Sequence, residues 1–502
     1  MNEYSITEIQ YQMDKRNLST RELTDFYLTR IHQIDKKGPK LNAIIELNPD
    51  TLKIAENLDK ERKKKKIIGP LYGIPVIIKD NINTADKMQT TAGSLAFEGH
   101  IAIEDAFIVK KLRDAGANIL GKANLSEWAN FRSTRSTSGW SSRGGQTLNP
   151  YCLDRNPCGS SSGSAVAVAA NLCSVAIGTE TDGSIICPSQ TNSIVGIKPT
   201  IGLVSRSGII PISHNQDTAG PMARTVRDAA ILLGIIAGPD PDDPSTINHN
   251  YEIPSDYTKY LDPNGLKEAR IGIARNYFGN SDLIDKIIEK SIEVMKKEGA
   301  IIYDPVEIET LKDLSDPEFQ VLLYDFKQDL NEYITKYGPI KSIRTLNDII
   351  KFNIEHDEKV MPYFEQELLN MANEKGTTRS EEYKEALEKC HRLAREEGID
   401  AVLREYSLDA IVAPSGGAAW LIDYINGDHS TGGSASIAAI AGYPNITVPA
   451  GYIYDLPVGI SFFSGSFQEP TLLRIAYAFE QATNVRKPPK FLNSIEINTN
   501  HI

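Results

Sequence analysis

The chain has 502 residues, 41% of them hydrophobic and 24% charged, which is ample material for the core of a soluble globular enzyme. Its net charge of −12 argues against nucleic acid as a primary partner, because phosphate binding needs clustered Lys and Arg. Met1 to Gln10 is polar with no leader pattern, and the best apolar run, Ala165 to Ala170, is too short to span a membrane and is broken by Asn171.

In chain order, Ser19 and Glu22 form a capping-box pattern ahead of a helix whose apolar face carries Leu23, Phe26, Tyr27, Ile31 and Ile34. The basic cluster Arg62 to Lys66 follows an acidic stretch and reads as a solvated helix end. Gly73 to Ile78 is a continuous apolar run, expected as a strand buried on both faces. A helix with Ala106, Phe107, Val109 and Leu112 leads through Gly116 to a second strand, Ala117 to Leu120. Pro239 to Asp256, rich in Pro, Asp and Asn, marks a surface connection. Arg270 to Ala274 reads as a strand, and Leu283, Ile284, Ile287, Ile288, Ile292 and Met295 line a helix ending at Gly299. Ala300 to Tyr303 returns as a strand. Leu311 to Glu397 is charged and helical and is expected to cover one side of the sheet and shape the substrate entrance. Asp409 to Val412 and Asn445 to Val448 come back as strands. Such alternation predicts an α/β protein with a largely parallel central sheet.

The densest chemical signal lies between Pro157 and Thr200. Gly159-Ser160-Ser161-Ser162-Gly163-Ser164 precedes an Ala/Val helix and then Gly178-Thr179-Glu180-Thr181-Asp182-Gly183-Ser184. Small residues let backbone N–H groups point into a cavity, as stabilising the oxyanion of acyl transfer requires. Gly159-x-Ser161-x-Gly163 matches a nucleophile elbow, with His391 and His429 downstream, but Asn156 and Pro157 break the strand that must precede it. Gly116-x-x-x-x-Gly121-Lys122 resembles a phosphate loop but continues into Ala123, without the metal-binding hydroxyl. Lys79, at the end of the first apolar strand, either snorkels to water or is held inside with a depressed pKa. Beside two Ser-rich turns, a neutral lysine is a credible general base for serine. No pair of the eight histidines has metal-ligand spacing, and His214 reads as a structural residue that could line a pocket. The five cysteines, Cys152, Cys158, Cys173, Cys187 and Cys390, are odd in number and without metal-ligand spacing. They predict free buried thiols rather than disulfides, and so a reducing, cytoplasmic setting.

These motifs together resemble the amidase signature family. The resemblance joins Gly73 to Asp80, the Gly/Ser run and Gly178-Thr179-x-x-x-Gly183-Ser184. It continues through Gly196 to Thr200, Asp217 to Arg224 and Ala441 to Pro449, and weakens between about Asp242 and Glu397. It implies one large α/β domain with a central mixed, largely parallel twisted sheet covered by helices on both faces. The expected segments are 1–70 (N-terminal helical), 71–240 (catalytic core), 241–400 (variable, mainly helical) and 401–502 (C-terminal strands and helix). Lys79 is then the base, Ser160 the bridging serine and Ser184 the nucleophile; the separation of 24 residues selects Ser160 over Ser161 and Ser162. The resemblance also implies a cis peptide bond before Ser160 and an oxyanion hole from the N–H groups of Thr181, Asp182, Gly183 and Ser184.

Gly159, Ser161, Asp182 and Gln216 are the candidate substrate contacts. Asp182 and Ser162 stand where many members have Gly, so the Asp182 carboxylate is expected to turn away from the oxyanion and be hydrogen-bonded. The pattern is most similar to the bacterial peptide amidases, which implies release of ammonia from C-terminal amides of peptides or amino-acid amides. The alternatives are the glutaminase subunit of a tRNA-dependent amidotransferase and a general aliphatic or aryl amidase. No cofactor, metal, nucleic acid or membrane partner is expected, and the chain is read as a monomer or homodimer.

Overall fold

The computed structural model describes residues 3–64, 68–338 and 340–496. Eleven strands form one sheet among these residues: β1 (Ile44–Leu47), β2 (Pro75–Lys79), β3 (Asn118–Ala123), β4 (Val175–Glu180), β5 (Val195–Lys198), β6 (Thr218–Ala223), β7 (Arg270–Ala274), β8 (Ile301–Val306), β9 (Ala410–Pro414), β10 (Asn445–Ile453) and β11 (Leu456–Phe463). Their order across the sheet is β1-β3-β2-β4-β6-β5-β10-β11-β9-β7-β8. The sheet is mixed. Parallel pairs occur in two runs, β3-β2-β4 and β9-β7-β8. Between them β6, β5, β10 and β11 pair antiparallel with their neighbours.

Composition explains the local outcomes. β2, β3, β4 and β9 are buried along their whole length, as expected for strands sandwiched by helices. The Ser19–Glu22 capping box starts the helix Thr20–Arg30, each side chain satisfying the other residue's backbone N–H. The helix Thr51–Arg62 ends at the basic cluster with Lys63 and Lys64 exposed, as expected, whereas the Arg62 guanidinium meets Asp14 and the Tyr72 carbonyl; Lys65 and Lys66 lie outside the described residues. The helix Ser162–Ala169 is wholly buried and built from small residues. A Cβ on Gly163 would collide with the Ala43 carbonyl oxygen and the Asn124 backbone, so this helix packs backbone to backbone.

The charged stretch forms the expected covering helices, including Ser315–Tyr337, Leu346–Glu355 and Glu381–His391. Arg132 ties this layer to the core. Its buried guanidinium pairs with Glu127 at 2.9 Å and donates to the carbonyls of Val360 and Phe364. The Pro239–Asp256 connection is less superficial than its composition implies, because Asp243 is buried and paired with Arg206 at 2.7 Å. No helix among the described residues is long and apolar enough to cross a membrane.

Candidate active site

The site forms where β2 and β4 run side by side. They are parallel, with Ile78 opposite Ile177, so both chains leave the sheet at the same end. Lys79 closes β2 and is fully buried. Snorkelling is thereby excluded. Its Nζ donates to Ser160 Oγ at 2.7 Å, to Thr179 Oγ1 at 2.8 Å and to the Thr179 carbonyl at 3.1 Å. Burial pushes the ammonium pKa down to about 7, against the opposing charges of Asp217 and Glu180.

Ser160 follows a cis Gly159–Ser160 peptide bond and is fully buried. The next residue donates its N–H to the Ser184 carbonyl at 3.1 Å, which lays the Ser160 loop against the Thr181–Ser184 turn. That turn is held from both ends. Glu180 Oε2 accepts the N–H groups of Ile185 (2.6 Å) and Ile186 (2.9 Å), capping the short helix Ile186–Thr191. Gly183 adopts φ +74°, in the left-handed region, and its N–H, like those of Asp182 and Ser184, is taken by no protein acceptor among the described residues. Ser184 itself is 6% exposed, while Lys79 and Ser160 are fully buried.

The other anticipated contacts divide. Asp182 lies against Ser436 and a second carboxyl, Glu318. Burial raises both pKa values, and the charge of Asp182 raises that of Glu318 further. Gln216 is buried and donates to Glu318 at 2.8 Å, with a longer contact to the Thr181 carbonyl, so it braces the turn. Gly159 is half-buried, and a Cβ there would collide with Ser126 Oγ. Ser161 departs from its expected place at the substrate. Its buried hydroxyl donates to the Thr179 carbonyl at 3.0 Å and accepts the Thr179 N–H at 3.1 Å, stitching its loop to β4. The same commitment disposes of the elbow reading. The phosphate-loop reading also fails, because Lys122 is buried in β3 and donates to the Ile82 carbonyl and Thr90.

A cavity of about 320 Å³ opens between the 206–218 loop and the helix Ser315–Tyr337, with Asn81, Thr179, Thr181, His214 and Asp217 among its lining. It approaches the site from the lysine side; neither Ser160 nor Ser184 lines it. His214 pairs there with Asp329 at 2.9 Å. Burial opposes its charge, but the bond to Asp329 and the nearby Asp325 raise its pKa to about 9. Asp325 also accepts from Ser213, Asn215 and Tyr383, so this acidic group is already spent on protein partners.

Cys158 and Cys187 form a disulfide, against the expectation of free thiols, and Cys152, Cys173 and Cys390 remain free and buried. The bond removes the ground for inferring a reducing compartment. Sequence reasoning also misses Glu318, Ser436 and the turn-capping role of Glu180. Only Glu180, inside the Gly/Thr motif, carries a local signal.

An α/β domain with this buried lysine–serine arrangement defines an amide-bond hydrolase, and the chain belongs to the amidase family, whose profile matches residues 22–473. Across 98% of its length it is 49% identical to the native peptide amidase of Stenotrophomonas maltophilia, covering 99% of that chain with a TM-score of 0.92. It is 43% identical to a probable amidase of Arabidopsis thaliana (98% of this chain, 92% of the relative). It is 34% identical to a glutamyl-tRNA(Gln) amidotransferase subunit of Gloeothece citriformis (97% and 99%).

Proposed function

We propose that this chain hydrolyses C-terminal amides of peptides or amino-acid amides to acid and ammonia through a Ser184 acyl-enzyme. The observation that carries the chemistry is the 2.7 Å contact between the fully buried Lys79 amine and Ser160, whose loop is tied to the Ser184 carbonyl through the Ser161 N–H. Neutral Lys79 takes the Ser160 proton as Ser160 takes that of Ser184, and Ser184 Oγ attacks the amide carbon. The N–H groups of Thr181, Asp182, Gly183 and Ser184 receive the developing oxyanion. The proton returns through Ser160 to the departing nitrogen, releasing ammonia. Water then repeats the sequence on the ester and frees the acid.

For the substrate, the support is the 49% identity to a peptide amidase over nearly the whole chain. The 34% identity to one component of a tRNA-dependent amidotransferase supports glutamine as a second reading, and the Asp182 carboxyl at the turn weighs against it. The purified chain alone should be incubated with C-amidated dipeptides, glutamine and simple aliphatic amides and followed by mass spectrometry. Conversion of amide to acid, a gain of about one dalton, is expected first and fastest for the dipeptide amides. Turnover of glutamine with none of the dipeptide amides would overturn the substrate assignment.

A further inference from the structure

Cys158 lies two residues before Ser160, and Cys187 three residues after Ser184. Their Cα atoms are 5.9 Å apart, a separation that a disulfide spans. The bond therefore closes a ring of chain that contains both serines. Within that ring, the backbone bond from the Ser161 N–H to the Ser184 carbonyl joins the two loops directly. Cys158 sits at φ +57°, a region that disfavours side chains, and is held there by its N–H to Asn156 Oδ1 (2.8 Å) and its carbonyl to Ser162 Oγ (2.6 Å). On the other side, Cys187 opens the first turn of the helix capped by Glu180, with its N–H on the Gly183 carbonyl at 2.8 Å.

We propose that the Cys158–Cys187 disulfide is a positioning crosslink for the two serines, so that amide hydrolysis depends on its oxidised state and is turned down reversibly by dithiols. The proposal rests on the assignment of Ser160 and Ser184 made above. Other contacts keep the loops docked without the bond: Thr191 Oγ1 and Asn192 Nδ2 donate to the Pro157 carbonyl at 2.7 and 2.9 Å. Reduction should therefore loosen the local register of Ser160 against Ser184 while the fold survives. Displacements of the order of 1 Å in such a relay cost about a hundred-fold in rate. Cys187 is half-buried, which gives a small dithiol access. The step balances simply. A dithiol passes two electrons and two protons to the bond, the S–S linkage breaks to two thiols, and the reductant closes to its own disulfide.

The test uses the full chain with a C-amidated dipeptide. Thiols counted in denaturant should number three before reduction and five after treatment with dithiothreitol. kcat should fall about ten- to a hundred-fold on reduction, with KM changed much less and far-ultraviolet circular dichroism unaltered, and should return on reoxidation. The double variant Cys158→Ala/Cys187→Ala should show the same low kcat without a dithiol and no further response to one. Five thiols in the untreated protein would overturn the proposal, as would full kcat in the reduced enzyme or a loss of activity that tracks loss of secondary structure. Ser184→Ala in the same assay separates the two claims. A dead Ser184→Ala enzyme beside a dithiol-indifferent wild type refutes the crosslink alone, whereas an active Ser184→Ala enzyme refutes the nucleophile.

Discussion

The pH dependence of turnover tests the site most directly. A lysine of ordinary pKa, about 10.4, would be neutral in only about one molecule in 2,500 at pH 7. With the Lys79 pKa lowered to about 7, half the molecules carry a neutral amine there. The neutral fraction falls to about a tenth at pH 6 and passes nine-tenths at about pH 8. With the neutral form as the proposed base, activity should be present above the lysine pKa and lost as the amine protonates. kcat/KM for a C-amidated dipeptide, followed by ammonia release from about pH 5.5 to 9, should climb nearly ten-fold per unit and level above about pH 7. Asp217 allows the cause to be separated from the correlation. Its charge opposes the fall in the Lys79 pKa, and its own pKa is raised to about 6 by burial. Asp217→Asn removes the charge that favours the ammonium, so the acid limb should move to lower pH. A flat profile, or an acid limb that moves upward in Asp217→Asn, would refute the neutral-lysine mechanism.

Ser184→Ala should abolish hydrolysis with an unchanged melting curve, whereas Ser160→Ala should be severe yet leave more activity, because water can replace the bridging hydroxyl. Ser161→Ala should cost about 1–3 kcal/mol of stability, read by urea unfolding, since it strips the buried Thr179 N–H of its acceptor. Its effect on kcat should stay below that of Ser160→Ala; the reverse order would mean that the wrong serine of the run touches Lys79. Glu127→Ala leaves Arg132 buried without its carboxylate and should destabilise by about 3–5 kcal/mol, seen as a lowered melting temperature.

How far these features can be read beforehand depends on whether their cause is local. A lysine ending an unbroken apolar run is conspicuous because such a run is buried, and its charge must then be explained. The Thr181–Ser184 turn is visible because Gly183 occupies a backbone conformation that few other residues tolerate. Glu318 is invisible, because nothing distinguishes it from the other acids of a charged helix until folding brings that helix over Asp182. The disulfide escapes because each cysteine sits in a context typical of a buried thiol, and pairing across 29 residues is a property of the fold. Ser161 cannot be told from its serine neighbours in the run until folding brings its hydroxyl onto the Thr179 backbone. The antiparallel middle of the sheet is hidden because β5 has only four residues and β6 is interrupted by Gly220 and Pro221, weakening the strand pattern.

The covering helices contribute Glu318 at the rim of the site and are clamped to the core through Arg132, while Lys79, Ser160 and Ser184 all come from the sheet and its loops. The residues proposed for the chemistry and the helix that walls the cavity thus lie in separate stretches of chain. A library that varies the helix Ser315–Tyr337 but keeps Glu318 and its contacts with Arg206–Thr218 should alter which amides are accepted while leaving the Thr181–Ser184 turn in place.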